Sequence, residues 1–252
     1  QSPSDKYVLT PAAFVSYTFV RGLSARAFYK QSYRMPTFND LYYADMGNSK
    51  LNPERVTQYN LGLLFSKRGG GLVSEMRFSG DAYYNYVKDK IVAYPKGQQF
   101  RWTMFNLGKV HIKGVDAMAE VGLEPAKDWK VTARLQYTYQ DARDVTDPNT
   151  SYYKDQIPYI PWHSGSAILD LSWRELDLAY SFIYSGERYS QQENILYNHL
   201  QPWYTHDMSV AYHARKWSAK LDVNNIFSQD YDVILNYPMP KRNYMLTLEY
   251  NF

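Results

Sequence analysis

Apolar and polar residues alternate along most of this chain. In the last segment every second residue from Tyr244 to Tyr250 is tyrosine or leucine, whereas the residues between them include Thr247 and Glu249. Because successive side chains of a β-strand point to opposite faces, this pattern predicts a strand with one apolar and one polar face. The same alternation recurs upstream. It predicts eleven strands, near residues 8–19, 22–33, 55–66, 73–88, 103–124, 129–141, 162–173, 176–187, 204–214, 217–227 and 242–252.

The predicted connections are of two kinds that alternate along the chain. Short turns on one side and long polar loops on the other are typical of a bacterial outer-membrane β-barrel, with the short turns in the periplasm. Eleven of the twelve prolines lie outside the predicted strands, as expected because a strand ladder needs backbone N–H donors. The short turns are predicted at 20–22, 67–72, 125–128, 174–175 and 215–216, and the long loops at 34–54, 89–102, 142–161, 188–203 and 228–241.

Two observations favour a membrane barrel over a soluble β-sandwich. All six tryptophans lie at or beside predicted strand ends, where aromatic residues mark the two membrane surfaces of a barrel. Charged residues join the apolar face only beyond the roughly 10 residues that a tilted strand needs to cross a bilayer, at Lys88, Lys109 and Lys113. These lysines are therefore predicted to lie above the lipid. The tryptophans are Trp102, Trp129, Trp162, Trp173, Trp203 and Trp217.

Composition excludes several classes of protein. The chain has 252 residues with 17% aromatics, and no apolar run approaches the roughly 18 residues of a membrane-spanning helix. It contains no cysteine, so disulfides and thiolate metal sites are excluded. The net charge is only +3 and the basic residues are scattered, which argues against nucleic acid as a partner.

The strand count and the polar face predict the kind of barrel. Eleven is odd, whereas single-chain bacterial barrels have even numbers of strands. If Phe252 is periplasmic, alternation places Gln1 on the extracellular side, so residues 1–252 are predicted to be one domain, the C-terminal half of a 22-stranded barrel with a plugged lumen. The predicted lumenal residues carry both charge signs: Arg26, Glu75, Arg77, Asp81, Asp116, Glu120, Arg134, Asp170, Asp177, Asp222 and Glu249.

Three segments carry a resemblance to a known family. Residues 33–42, YRMPTFNDLY, are followed by Gly47-Asn48 and by LNPE at 51–54, and together resemble the "FRxPxxxELY … GNxxLxPE" stretch of TonB-dependent outer-membrane receptors. Residues 106–116, NLGKVHIKGVD, are similar to their "NxGxxxxGxE" strand. The closing motifs are NNIF at 224–227, Asp230-Tyr231, Tyr237-Pro238 and the terminal Tyr250-Asn251-Phe252, with Lys241 where the family usually has glycine.

This resemblance implies a gated importer of the bacterial outer membrane, not an enzyme. It implies a plug domain and an N-terminal barrel half outside this chain, surrounding membrane lipid, and energy supplied by a TonB-ExbB-ExbD complex. A surface lipoprotein that caps the barrel is a further partner known in similar receptors. A passive porin and a barrel-anchored enzyme remain alternatives from other classes, although no G-x-S-x-G nucleophile motif occurs.

The transported ligand is predicted from finer likenesses. RMPTFNDLYY at 34–43 together with YPMP at 237–240 resembles cobalamin receptors of Bacteroides-like bacteria. Haem and ferric siderophores stay open, although haem receptors usually place a histidine in or just after the first motif and residues 37–43 contain none. Aromatic and basic loop residues would suit any of these ligands. The candidate contacts are Tyr42, Tyr43, Trp102, Tyr152, Tyr153, Arg188, Tyr197, His199 and Tyr237.

No resident cofactor or metal is predicted. Two histidines, His111 and His199, are the ones expected near a ligand, and none of the five histidines has an H-x-x-x-H spacing for a metal. Calcium held by loop carboxylates is an alternative to a solvated acidic loop. The carboxylates concerned are Asp141, Asp144, Asp147 and Asp155.

Overall fold

The computed structural model describes residues 8–96 and 101–250, and the described chain is almost entirely β-structure. Eleven strands form one antiparallel sheet in the order β1-β2-β3-β4-β5-β6-β7-β8-β11-β12-β15, as the alternation predicts. The strands are β1 (Ala12–Val20), β2 (Leu23–Arg34), β3 (Glu54–Arg68), β4 (Val73–Lys96), β5 (Arg101–Leu123), β6 (Trp129–Asp144), β7 (His163–Trp173), β8 (Leu176–Ser185), β9 (Arg188–Tyr189), β10 (His199–Leu200), β11 (Trp203–His213), β12 (Trp217–Asn224), β13 (Asp232–Ile234), β14 (Tyr237–Pro238) and β15 (Asn243–Tyr250).

The remaining elements are short and lie in the long loops. The helix α1 spans Phe38–Tyr42, and a 3-10 helix spans Leu196–Asn198. The four two- or three-residue strands pair as β9 with β10 and β13 with β14. No helix in the described part of the chain is long and apolar enough to cross a membrane.

The register of the sheet separates the two faces that the sequence predicts. Tyr29, Tyr59 and Tyr84 are successive cross-strand partners on β2, β3 and β4, and they form part of an apolar face. Residues an odd number of positions away point to the other face of the sheet. On that face the Arg26 side chain on β2 donates to the Asp81 carboxylate on β4. A slip of one residue would reverse both faces, so the hydrophobic pattern fixes this register.

The connections confirm the predicted alternation of short turns and long loops, with one correction. The loop predicted at 89–102 is mostly strand, because β4 continues to Lys96 and β5 starts at Arg101. This stretch includes Ile91 and Val92, and β-branched residues favour extended backbone. The predicted strands, 73–88 and 103–124, therefore stop short of this extension of the hairpin.

The tryptophans occupy strand ends as predicted. Trp129 begins β6 and Trp173 ends β7, and their rings stack 5.5 Å apart beside the short turns. Trp217 begins β12 at the same end, with Tyr212 5.7 Å away. These rings form an aromatic band at the short-turn end of the sheet.

Both edge strands of the sheet have a single partner among the described residues. Within 8–96 and 101–250, β1 pairs with β2 and β15 pairs with β12, so the sheet is open. The predicted positions of Gln1 and Phe252 lie outside the described residues. So does the tip of the hairpin between β4 and β5, at 97–100.

Candidate functional site

The first motif builds a platform at the long-loop end of β2. Thr37 caps helix α1 by accepting a hydrogen bond from the Asp40 backbone N–H, and the Asp40 side chain accepts one in return from the Thr37 N–H. Arg34 reaches both Asp40, at 3.4 Å, and Glu54, at 3.3 Å. Asp40 and Glu54 are buried, so these motif residues hold the loop together. The platform presents Tyr42 and Tyr43, which are 60% and 58% exposed.

The first and second motifs bind each other through two asparagines. The Asn52 backbone N–H donates to the Asn106 side-chain oxygen at 2.8 Å, and the Asn106 side chain donates to the Asn52 carbonyl at 3.1 Å. A second bond from the Asn106 side chain reaches the Asp89 carbonyl at 2.7 Å. Glu54 accepts from the Ile91 backbone N–H at 3.0 Å. Two of the three segments that carry the family resemblance are therefore joined directly by hydrogen bonds.

The loop between β6 and β7 folds onto a small apolar core above the sheet. Gln156 is buried and its side-chain oxygen accepts from the Ala142 backbone N–H at 2.8 Å. The core contains Val87, Leu107, Val110, Ile112, Ala142 and Ile157. This buried apolar cluster lies at the long-loop end of the sheet. It therefore holds the long loops together as a packed layer.

Three predicted contact residues belong to this layer. Trp102 stacks on Tyr159 with ring centroids 5.9 Å apart, and the stack joins β5 to the loop between β6 and β7. Tyr152 and Tyr153 are half-buried in a turn of the same loop, and the Lys154 ammonium lies 5.3 Å from the Tyr153 ring. The Trp102 ring therefore packs strand against loop, and all three aromatic rings expose only part of their surface.

Arg188 is buried, with 3% of its surface exposed. It donates hydrogen bonds to the carbonyls of Gln201 at 3.2 Å, Asp232 at 2.5 Å and Val233 at 3.2 Å. Burial lowers the pKa of Arg188 from its ordinary value, and the charges of Tyr159 and Asp232 oppose that shift. This side chain joins the loop after β8 to the loop after β12, and it does not point a free charge at a ligand.

An open recess of about 370 Å³ lies beside Arg188, between these two loops. Its wall includes Trp203 and Tyr231, whose rings stack 4.6 Å apart, and burial raises the pKa of the Tyr231 hydroxyl. His199 also lines it and lies 3.1 Å from the Glu187 carboxylate. Sequence reasoning missed Trp203 and Tyr231 as recess residues, although the motif Asp230-Tyr231 was visible.

The remaining predicted contacts are exposed but separate. Tyr197 is 88% exposed in the 3-10 helix, and Tyr237 is 61% exposed at the start of β14. The structure therefore does not gather the nine predicted residues into one pocket. It brings His199 and Arg188 to one recess, places Trp102 in a packing stack and leaves four tyrosines on loop surfaces.

The histidines and loop aspartates have partners of their own. His111, expected near a ligand, lies instead in the phase of the apolar face, 3.2 Å from the Tyr84 hydroxyl. His163 bonds to Tyr137 at 2.7 Å and His206 to Tyr180 at 2.5 Å in the same phase. No group of three histidine or acidic side chains in the described ranges is placed to hold a metal ion.

The four aspartates of the calcium alternative are dispersed over separate partners. Asp141 pairs with Arg143 at 2.6 Å. Asp144 and Asp147 each accept from the backbone N–H two residues ahead in the turn. Asp155 accepts from the backbone N–H of Asn194 in the next loop.

The polar face of the sheet carries a ladder of ion pairs. Arg26 pairs with Asp81 at 2.6 Å. Glu120 lies between two arginines, with Arg77 at 3.3 Å and Arg134 at 2.5 Å. The predicted mixture of charge signs on this face is therefore largely self-neutralising in β2 to β6.

The sequence matches a known family over most of its length. The model of the family described as TonB dependent receptor-like, beta-barrel, matches residues 1–226. The chain therefore belongs to this family of β-barrel receptors. The resemblance read from the three motifs is confirmed at the level of the family.

Solved structures show the same fold. The ferric-catecholate import receptor Fiu from E. coli K12 superposes with a TM-score of 0.69 at 15% identity, covering 96% of this chain and 34% of that one. The siderophore receptor PirA from Acinetobacter baumannii gives 0.67 at 19% identity, with 96% and 41% covered. The copper transporter OprC gives 0.68 at 16% identity, with 96% and 39% covered. The chain thus spans well under half of each of these proteins, and the fold class predicted from the alternation is confirmed.

Proposed function

We propose that this chain forms part of the wall and of the ligand-capturing loops of an active importer in a bacterial outer membrane. The observation that carries the proposal is an eleven-stranded sheet with an apolar outer face, an ion-paired inner face and a packed layer of long loops at one end. In lipid every backbone group needs a partner, so an open sheet must be completed into a barrel. The family of β-barrel receptors to which the chain belongs supports this reading.

The completed receptor requires parts that this chain does not supply. We place the other barrel strands beside β1 and β15, and a plug domain against the polar face that carries Arg26, Asp81 and Glu120. Movement of the plug, driven by TonB-ExbB-ExbD from the inner membrane, would open the path for the ligand. A surface lipoprotein over the loops belongs to the same proposal.

The ligand that we propose is cobalamin or another corrinoid. Support comes from the likeness of residues 34–43 and 237–240 to cobalamin receptors. Further support comes from the predicted contacts, because the most exposed members are uncharged tyrosines such as Tyr197, whereas Arg188 is committed to three carbonyls. A neutral, bulky ring system suits such a surface better than a strongly anionic chelate does.

A ferric siderophore is the second candidate. Fiu and PirA, which share the fold, are named as receptors for ferric catecholates and siderophores. His199 in the recess is the one histidine among the predicted contacts, and its neighbour Glu187 already occupies one ring nitrogen.

The decisive experiment is equilibrium binding of the complete purified receptor to cyanocobalamin, haem and a ferric catecholate in parallel. Tight binding of cyanocobalamin alone supports the corrinoid proposal. Binding of the ferric catecholate alone replaces it with the second candidate. Full affinity after deletion of loops 34–54 and 142–161 would remove these loops from the binding role.

A further inference from the structure

Three cations stand side by side on the apolar-face phase at the long-loop end of the sheet. Arg55 on β3 is the direct cross-strand partner of Lys88 on β4, and Lys88 is the partner of Lys109 on β5. All three side chains are exposed. We call Arg55, Lys88 and Lys109 the cationic row. Lys113, four residues further along β5 from Lys109, lies in the same phase.

This row is unfavourable for the sheet by itself. Like charges directly opposite each other on adjacent strands destabilise the pairing. No member of the cationic row forms an ion pair in the part of the chain that the structure describes. The nearest aromatic partner is Tyr33, whose ring lies 5.7 Å from the Arg55 guanidinium. Asp141, opposite Lys113, is taken by Arg143 at 2.6 Å.

Two tyrosines beneath the cationic row indicate its depth in the membrane. Tyr59 and Tyr84 lie four residues below Arg55 and Lys88 on the same strands, with ring centroids 6.4 Å apart. Four residues of strand span about 13 Å, less when the strand is tilted. Tyrosine bands mark the membrane surface, so the cationic row lies at the level of the lipid head groups on the extracellular side.

A recess at this level offers room for a ligand. It has a volume of about 510 Å³ and is lined by Tyr33, Asn52, Arg55, Lys88 and Asp89, among others. The arginine fork and the lysine ammonium are the groups that bind phosphate best, and the Asn52 side chain adds a polar contact. One carboxylate, Asp89, also lines the recess, which leaves the cations in excess.

We propose that the cationic row and this recess bind the phosphate groups of an anionic lipid in the outer leaflet. The inference rests on the membrane placement in the proposed function, and it is independent of which nutrient is imported. The lipid supplies the countercharge that the sheet lacks, while its acyl chains lie against the apolar face below Tyr59 and Tyr84. The row would therefore fix the depth and the lipid neighbours of this wall of the barrel.

The test uses the complete receptor in neutral detergent, titrated with bis-phosphorylated lipid A and followed by native mass spectrometry. The variant is Arg55→Gln with Lys88→Gln and Lys109→Gln, and the control is Lys127→Gln with Arg215→Gln and Lys216→Gln, which removes three cations at the short-turn end. At about 1 kcal/mol for each basic residue near an anionic surface, the triple variant should bind lipid A about 100-fold more weakly. The control should retain the affinity of the unaltered receptor.

Dephosphorylated lipid A and inorganic pyrophosphate separate the possible sources of affinity. Weak binding of both supports a lipid phosphate site. The proposal would be overturned if dephosphorylated lipid A bound as tightly as bis-phosphorylated lipid A, or if the triple variant kept the affinity of the unaltered receptor. Pyrophosphate that binds as tightly as lipid A would overturn the assignment to a lipid. A heat-dependent shift in gel mobility shows that each variant is a folded barrel. An unchanged affinity of the triple variant for the nutrient shows that the lipid site and nutrient binding are tested independently.

Discussion

The guanidinium of Arg188 donates to the backbone carbonyl of Asp232 at 2.5 Å, which links two loops that are 44 residues apart in the chain. Two further carbonyls, of Gln201 and Val233, complete its set of acceptors. A buried charge costs free energy unless it is hydrogen-bonded, and here three acceptors meet that need. Arg188 therefore stabilises the shape of the recess, and its contribution to ligand binding is indirect.

Arg188→Met should loosen both loops that the arginine joins. Three carbonyls lose a charged donor, so the free energy of local opening should fall by about 1–3 kcal/mol. Hydrogen exchange of the Ser190 backbone N–H, which bonds to the Asn198 carbonyl at 2.8 Å, reports this opening. The matched control is Arg174→Met. The Arg174 side chain is 59% exposed, and its ion pair with Asp128, at 3.5 Å, lies at the short-turn end of the sheet, far from both loops. Unchanged exchange in the Arg188 variant would contradict the role of a loop joint.

Gly114→Ala should destabilise the barrel through a steric clash. A Cβ at Gly114 would collide with the Tyr83 ring and approach the Tyr139 carbonyl oxygen to 2.7 Å. Overpacking of this kind costs about 1–3 kcal/mol. Gly80→Ala is the control, since a Cβ there meets no atom within 4 Å. The two variants are compared by the urea midpoint of the complete receptor, and equal midpoints would show that Tyr83 moves aside without cost.

Glu120→Gln should weaken the inner wall more than Glu249→Gln does. Glu120 bridges Arg77 and Arg134, so its neutralisation leaves two arginines without their shared countercharge. Both arginines are partly exposed, which limits the expected loss to about 1 kcal/mol. Glu249 contacts only the Ser218 hydroxyl, at 3.3 Å, among the described residues. The midpoint should differ most at low ionic strength, and a difference that persists at 1 M salt would argue against an electrostatic origin.

Tyr197→Ala and Trp102→Ala should separate ligand contact from loop packing. Tyr197 is 88% exposed, so its removal should lower the affinity for the nutrient and leave the unfolding midpoint unchanged. Trp102 stacks on Tyr159, and such a pair contributes about 0.5–1.5 kcal/mol beyond area burial. Trp102→Ala should therefore increase protease cleavage in the loop at 145–162. A Tyr197 variant with full affinity for cyanocobalamin, haem and ferric catecholate would remove this residue from the binding surface.

The sheet could be predicted from sequence because the alternation of apolar and polar residues is a local pattern. Within a strand, alternation with a period of two is visible over about eight residues, and the turns after Val20 and Trp173 are short enough to follow directly from strand ends. The upper half of β4 escaped this rule because strand pairing beyond the apolar face depends on its partner β5 and not on lipid. The length of that hairpin was therefore a tertiary property.

The loop layer could not be predicted, because its contacts join distant segments. Nothing local in the sequence pairs Asn52 with Asn106, or Gln156 with the backbone of Ala142. Exposed and buried aromatics also look alike in sequence, so Tyr197 and Trp102 were assigned the same role although one is on the surface and the other in a stack. The family motifs marked the joint between 52 and 106 without revealing that its purpose is structural.

The β4–β5 hairpin extends beyond its pairing with the neighbouring strands β3 and β6. From Lys88 to Lys96 the strand continues for eight residue steps, about 27 Å along its own axis. In the proposed orientation this ribbon stands clear of the bilayer above the cationic row, and its lower part is tied to the loop layer by the Trp102–Tyr159 stack and by the bond from the Ile91 backbone N–H to Glu54. In that orientation the ribbon is a surface that an antibody or a phage fibre can contact without reaching the lipid. Sequence drift in the ribbon would then let a bacterium escape such agents while the barrel below keeps its fit to lipid.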